Sequence, residues 1–139
     1  MYGILDISTS ALTAYRTQLD VIAGNIAMKD VTHDEEGQAV PYRRKVALFA
    51  AGDPTRGRNA PGVHVDAIAD DPTPFGLRWE PNHVDAIKAG KNQGYVQVSN
   101  VDYHTEMVNA MTAARAYEAN VTVMEMAKRM TSTTLQLLA

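Results

Sequence analysis

The chain has no cysteine among its 139 residues, which excludes disulfides and thiolate metal sites. It has no proline after Pro81 and no glycine after Gly94, so its last third lacks the residues that most often interrupt a helix. It has no long apolar run. The longest, Val46 to Ala51, falls far short of the roughly 20 residues of a membrane span. It has no basic excess: 13 Lys and Arg stand against 16 Asp and Glu, for a net charge of −3, which argues against an electrostatic nucleic-acid binder. Met1 to Leu5 carries no basic region and Asp6 interrupts the first apolar residues, so no cleaved secretory signal is expected. On this reading the protein is cytosolic or leaves by a route that recognises something else.

Patterns of catalysis are absent too. His33, His64, His83 and His104 form no i, i+4 pair and no HExxH arrangement. His33-Asp34-Glu35-Glu36 has the composition of a metal cluster, but an EF-hand would place Thr32 and Arg43 where Asp and Glu are required. There is no glycine-rich phosphate loop, and Ser8, Ser10, Ser99 and Ser132 have no triad-like context. The acidic run reads as a surface turn, and no catalytic residue, cofactor or metal is expected.

What is present is helix at both ends. Toward the C-terminus, Met107, Met111, Ala114, Tyr117, Val121, Met124, Ala127, Met130, Leu135 and Leu138 recur at steps of three to five, which predicts one apolar stripe on a helix from about Thr105 to Leu138. That helix would be roughly 50 Å long at about 1.5 Å per residue, too long to be wrapped by this chain alone. Its only charges are Glu106, Arg115, Glu118, Glu125, Lys128 and Arg129, whereas a solvated face normally carries more. Such a helix is built to be touched on several sides.

Residues 4 to 28 predict a second helix. Leu5, Ser8, Leu12, Tyr15, Leu19, Ile22 and Ile26 alternate in steps of three and four, the seven-residue repeat of a coiled-coil seam. Asp6 or Ser8 is a candidate cap. A second apolar edge runs through Ile4, Ile7, Ala11, Ala14, Val21 and Ala23.

All six prolines and most glycines fall between residues 30 and 100. Strand candidates there are Tyr42–Phe49, Val63–Ile68 with one wet face, Phe75–Trp79 and Tyr95–Val98, with a breaker-rich loop over Gly52–Gly62 and turns at Asp71-Pro72-Thr73-Pro74 and Glu80-Pro81-Asn82-His83. The predicted fold is α+β: an antiparallel pair of long terminal helices, coiled-coil-like, with a small β-rich insertion. Residues 1–29 and 103–139 would form a helical core domain and residues 30–102 a central domain too small to bury much core by itself.

The end motifs resemble those of bacterial flagellar rod and hook proteins. Ser10-Ala11-Leu12-Thr13-Ala14 followed by Leu19-Asp20-Val21-Ile22-Ala23-Gly24-Asn25-Ile26-Ala27 is similar to their S-A-L-x-A, L-D-x-I-A-x-N-I-A-N pattern. Glu106-Met107-Val108-Asn109, then Arg115-Ala116-Tyr117-Glu118-Ala119-Asn120-Val121, resembles their E-M-V-N and R-x-Y-E-A-N block. Asp71-Pro72-Thr73-Pro74-Phe75, Trp79-Glu80-Pro81-Asn82-His83, Gly94-Tyr95-Val96 and Ser99-Asn100-Val101 narrow the resemblance to the FlgC-type proximal-rod family. Met28, Gly24 and Ser99 depart from the pattern, where an Asn, a Ser or Asn, and a Pro are usual, and the segment 87–93 is longer.

The resemblance implies a structural subunit of the proximal rod, exported by the flagellar type III apparatus without signal cleavage and assembled in the periplasm into a helical tube that transmits torque. Implied partners are copies of itself, other proximal and distal rod proteins, the adaptor between rod and membrane ring, and the export apparatus. Neither nucleic acid nor membrane insertion enters. In such a tube, Leu5, Leu12, Leu19, Ile22 and Ile26 would face Met107, Met111, Ala114, Tyr117, Val121 and Met124. Asp20, Asn25, Glu106 and Arg115 would set register through cross-helix or cross-subunit hydrogen bonds, with Glu118 and Asn120 of the second motif in the same assembly surface. The same periodicity also suits a soluble helical adaptor or export chaperone that holds one partner helix.

Overall fold

The computed structural model describes residues 2–34, 36–52 and 61–138; most of the breaker-rich loop, 53–60, and Glu35 of the acidic run lie outside the described residues. Two long helices flank four short strands: α1 (Tyr2–Met28), β1 (Lys45–Ala51), β2 (Val63–Asp70), β3 (Gly76–Trp79), β4 (Tyr95–Val98) and α2 (Tyr103–Leu138). The layout is α+β. At about 1.5 Å per residue, α1 is about 40 Å long and α2 about 54 Å.

Helix α2 begins two residues before the predicted start because Asp102 caps it. The Asp102 carboxylate accepts the backbone N–H of Thr105 (3.1 Å) and its hydroxyl, and the Asp102 carbonyl accepts the Glu106 N–H (3.0 Å). This satisfies donors that a helix N-terminus leaves open, and the bonds from Thr105 hold the Asp102 carboxyl below its ordinary pKa. At the other end of the chain neither expected cap serves. Helix α1 starts at Tyr2, so Asp6 and Ser8 lie inside it, and Ser8 is buried.

The two helices pack antiparallel, the last turn of α1 meeting the first of α2. The seam shares Tyr117, Met124 and Ala127 with the predicted stripe but departs from it near the start of α2. On α2 the covered positions fall at seven-residue steps, Glu106, Ala113, half-buried Asn120 and Ala127, with Asn109, Tyr117, Met124 and Thr131 half-buried between them. Met107 and Met111 lie off the seam, 39% and 52% exposed. The expectation that they face α1 is corrected for this reason: steps averaging under 3.5 residues carry the apolar stripe around a helix of 3.6 residues per turn. Small side chains occupy the contact and let the helices approach closely. On α1, Ser8, Ala11, Ala14, Ile22 and Asn25 are buried, while Leu5, Leu12, Tyr15, Leu19 and Ile26 are half-buried flanks.

The other side of α1 carries the β1–β2 pair, which is antiparallel from Lys45 opposite Asp70 to Ala51 opposite Val63, with a bulge between Leu48 and Phe49. The Val63 N–H donates to Ser10 Oγ (3.1 Å), and the Tyr15 and Phe49 rings meet at 5.7 Å. Burial along β2 does not alternate as expected, and Leu48, Phe49 and Ile68 stay exposed. A hairpin clamped along a helix has less of a single wet face than one lying on a broad core.

The second pair, β3–β4, runs from Gly76 opposite Val98 to Trp79 opposite Tyr95. Val96 is fully buried there. Gly94 adopts φ +82°, and a Cβ on it would come within 2.6 Å of the Trp79 ring, so glycine is needed both for backbone and for space. The loop beyond it is tied to the segment after α1 by Asp85, which accepts the Thr32 hydroxyl (2.7 Å) and lies 3.8 Å from His33 Nδ1 and from His83 Nδ1.

Candidate functional site

The densest chemistry lies at the root of the helix pair, where α1 ends, β1 begins and α2 begins. Asn25 is fully buried, and every polar atom of its carboxamide is used. Its Nδ2 donates to the Lys45 carbonyl (2.8 Å) and to Glu106 Oε2 (2.9 Å), and its Oδ1 accepts the Lys45 N–H (2.9 Å) and the Tyr42 hydroxyl (3.1 Å). Toward Lys45 the side chain behaves as a short piece of strand, holding both backbone groups of that residue.

Glu106 is also fully buried. Oε1 receives Arg44 Nε (2.9 Å) and the second guanidinium nitrogen (2.7 Å), with Asn109 Nδ2 at 3.5 Å. Two nitrogens of the guanidinium converge on this one oxygen while Oε2 takes Asn25, a charge-assisted contact of the kind that suits arginine to buried pairing. Arg44 then reaches Asp71 (2.9 Å), and its backbone N–H donates to Asn100 Oδ1 (2.8 Å). Asn100 Nδ2 and Arg43 both donate to the carbonyls of Asp71 and Thr73, and the Arg43 guanidinium sits 4.2 Å over the Phe75 ring. One network thus ties α1, β1, the Asp71–Phe75 turn and the start of α2.

The electrostatics follow the geometry. Burial works against the Arg44 charge, and its bonds to Glu106 and Asp71 more than offset that, so its pKa is raised. Tyr42 is raised by burial, then by the negative charges of Asp70 and Glu106. Asp71 is lowered to about 2, first by the Thr73 hydroxyl and backbone N–H and then by Arg44. Every strong group in the junction is spent on another group of the same chain. Among the described residues no cluster of three or more His, Asp or Glu is placed to hold a metal ion.

Of the four polar residues singled out from sequence, Asn25 and Glu106 meet, whereas Asp20 and Arg115 are exposed and apart from the junction. Glu118 is exposed, and Asn120 is half-buried with its Nδ2 on the Ala116 carbonyl (2.8 Å). Tyr42, Arg44, Asp71 and Asn100 were not singled out as site residues. Their signal was available: Asp71 and Asn100 fall inside the middle motifs, and a basic residue just before an apolar strand is the natural partner for a buried Glu.

Comparison with known proteins places the chain in a family. Residues 92–137, which span β4 and nearly all of α2, match the family described as flagellar basal body rod FlgEFG protein C-terminal. Proteins named flagellar basal-body rod protein FlgC are similar along almost the whole chain. The one from Buchnera aphidicola is 40% identical, covering 97% of this chain and 96% of its own. That of Bacillus subtilis is 38% identical over 96% and 95%, and that of Borreliella burgdorferi 35% over 99% and 97%. The chain belongs to the FlgC family of flagellar basal-body rod proteins.

Proposed function

We propose that this chain is a non-catalytic structural subunit of the rod, assembled through its terminal helices into a helical tube that transmits torque. The observation that carries the reading is the outer side of α2. Met107, Val108, Met111, Val123 and Met126 are exposed there, away from the seam with α1, with Ile4 and Ile7 exposed on α1. Apolar helix faces of this extent call for neighbours, and identical or similar subunits in a head-to-tail array supply them.

In this reading residues 1–29 and 103–139 form the helical core and 30–102 the domain they carry. Leu5, Leu12, Leu19, Ile22 and Ile26 support the pair from within. Met107, Met111, Arg115, Glu118 and Asp20 meet neighbours, Tyr117, Asn120 and Met124 line the seam with α1, Val121 lies on the flank between these surfaces, and the Asn25–Glu106 junction fixes the register in which torque is passed on. The neighbours are other proximal and distal rod proteins, the membrane-ring adaptor and copies of this chain. The subunit reaches the periplasm through the flagellar export apparatus without cleavage.

Mass spectrometry of detergent-purified hook–basal bodies tests this. The chain should be retained after the membrane ring is stripped, with its N-terminal peptide intact. Recovery only from the cytosol, in a discrete soluble complex, would replace the rod reading with that of a helical adaptor.

A further inference from the structure

All the sulfur of this chain is thioether, and the fold sorts it. There is no cysteine, and there are seven methionines. On α2 the packing divides them. Met124 is half-buried in the seam with α1, whereas Met107, Met111, Met126 and Met130 are exposed, Met130 the most at 65%. The exposed four form two pairs, and the members of each pair stand four positions apart and are neighbours on the helix surface.

A thioether in water is open to two-electron oxidants. Its lone pair attacks one oxygen of hydrogen peroxide, the O–O bond breaks and an S–O bond forms. The second oxygen leaves as hydroxide and takes a proton to become water. Sulfur loses the two electrons that peroxide gains. The product is a sulfoxide, polar and hydrogen-bond-accepting where the thioether was apolar. On the free subunit that change costs little, because these side chains already face water and the seam is held by Ala113, Ala127 and the Asn25–Glu106 junction. Against a neighbour the cost is different. An apolar contact must then take in a polar oxygen with no partner prepared for it, which is how oxidation disrupts Met-rich interfaces. Leucine at the same positions would supply apolar surface without this sensitivity. With no cysteine, the chain has no thiol of its own to divert the oxidant or reduce the sulfoxide, so repair must come from outside.

We propose that Met107, Met111, Met126 and Met130 form a reversible oxidation site that governs incorporation. Hydrogen peroxide converts them to sulfoxides on the free subunit. The oxidised subunit stays folded and is refused by its neighbours until a methionine sulfoxide reductase, giving up two electrons from its own thiols, releases the oxygen as water. Once assembled, the same side chains are covered and spared. The proposal goes beyond the rod reading and rests on it for the identity of the surface that is blocked.

The first test uses the isolated full-length subunit. Dilute hydrogen peroxide, with peptide mapping by mass spectrometry, should oxidise the four exposed methionines of α2 before Met124. The oxidised protein should keep the thermal midpoint and helix content of the untreated one. Oxidation of Met124 as fast as the four, or unfolding on oxidation, overturns the site. The second test is a competition in flagellated cells that make the wild-type chain and a variant carrying Met107→Leu, Met111→Leu, Met126→Leu and Met130→Leu in equal amounts. Peptide mass tells the two apart in purified basal bodies. Both should incorporate without peroxide, and during growth in sublethal peroxide the wild-type share should fall about fivefold. An unchanged share overturns the proposal. Met107→Gln with Met111→Gln supplies a fixed polar stand-in for the sulfoxide. That variant should fold as wild type and incorporate about tenfold less with no oxidant present, and normal incorporation overturns the proposal even if the leucine variant is lost. Absence of every form from basal bodies overturns the rod reading itself, an outcome distinct from an unchanged share.

Discussion

Along α2, the side turned to α1 carries Glu106, Ala113, Asn120 and Ala127, and the side turned away carries Met107, Met111 and Met126. Hydropathy alone would bring Met107 and Met111 to the inner side. Inside the subunit, contact is made by small residues that permit close approach and by the Asn25–Glu106 pair, whose partners the chain supplies. Outside, large flexible apolar side chains remain in water. Methionine suits a surface that must fit more than one neighbour, because its unbranched chain adapts to irregular gaps. The two faces therefore divide the work: one holds a single register, the other accepts contacts yet to be made.

The sharpest way to break this comparison is to attack the junction. Glu106→Ala leaves Arg44 with Asp71 alone and one donor of Asn25 without its partner, and removal of one member of a buried pair costs about 3–5 kcal/mol. Denaturant unfolding of the isolated subunit reads this directly, and a loss under about 1 kcal/mol would show that the junction does not hold the helices. Ala113→Leu forces a larger side chain into the close seam and should cost about 1–3 kcal/mol. Its counterpart Met111→Ala should change subunit stability by no more than about 0.5 kcal/mol while reducing incorporation into basal bodies. Equal effects of the two on subunit stability would erase the distinction between faces.

Gly94→Ala tests the β3–β4 pair apart from the helices. The methyl meets both an unfavourable backbone angle and the Trp79 ring, so a cost above about 1 kcal/mol is expected, with helix content by circular dichroism retained. The smallest effect is at Asp71. Its carboxyl is lowered to about 2 from an ordinary 3.8, so its contribution to stability is complete above about pH 4 and is lost as pH falls through about 2. Asp71→Asn should flatten the stability profile in that window. Parallel acid profiles for variant and wild type would remove Asp71 from the network's energetics.

The sequence announces its helices and strands well for identifiable reasons. Glycine and proline are confined to the middle, periodicity is sustained at both ends, and the four strand candidates overlap β1 to β4. It announces the inter-helix seam poorly. The heptad Glu106, Ala113, Asn120, Ala127 is invisible to any scale that rewards apolar bulk, because a buried Glu is tolerated only where Arg44 and Asn25 already wait, and those partners lie 62 and 81 positions away in the chain. Ser8 illustrates the same limit. Read locally it is a helix cap, and packing makes it interior. Half of the junction, Asn25 and Glu106, is legible because those residues sit in the end motifs; Arg44 lies inside the strand candidate Tyr42–Phe49, where nothing local pairs it with Glu106.

Trp79 is the only tryptophan in the chain, and it sits 60% exposed on β3, edge-on to Tyr95 and over Gly94, away from the helix seam. The protein thus carries one intrinsic fluorophore, and it reports on the β3–β4 pair. A blue shift of its emission when subunits polymerise would mean that this pair is covered by a neighbour, whereas an unchanged spectrum would leave it facing outward from a shaft closed by helices alone. No label is needed to tell the two apart.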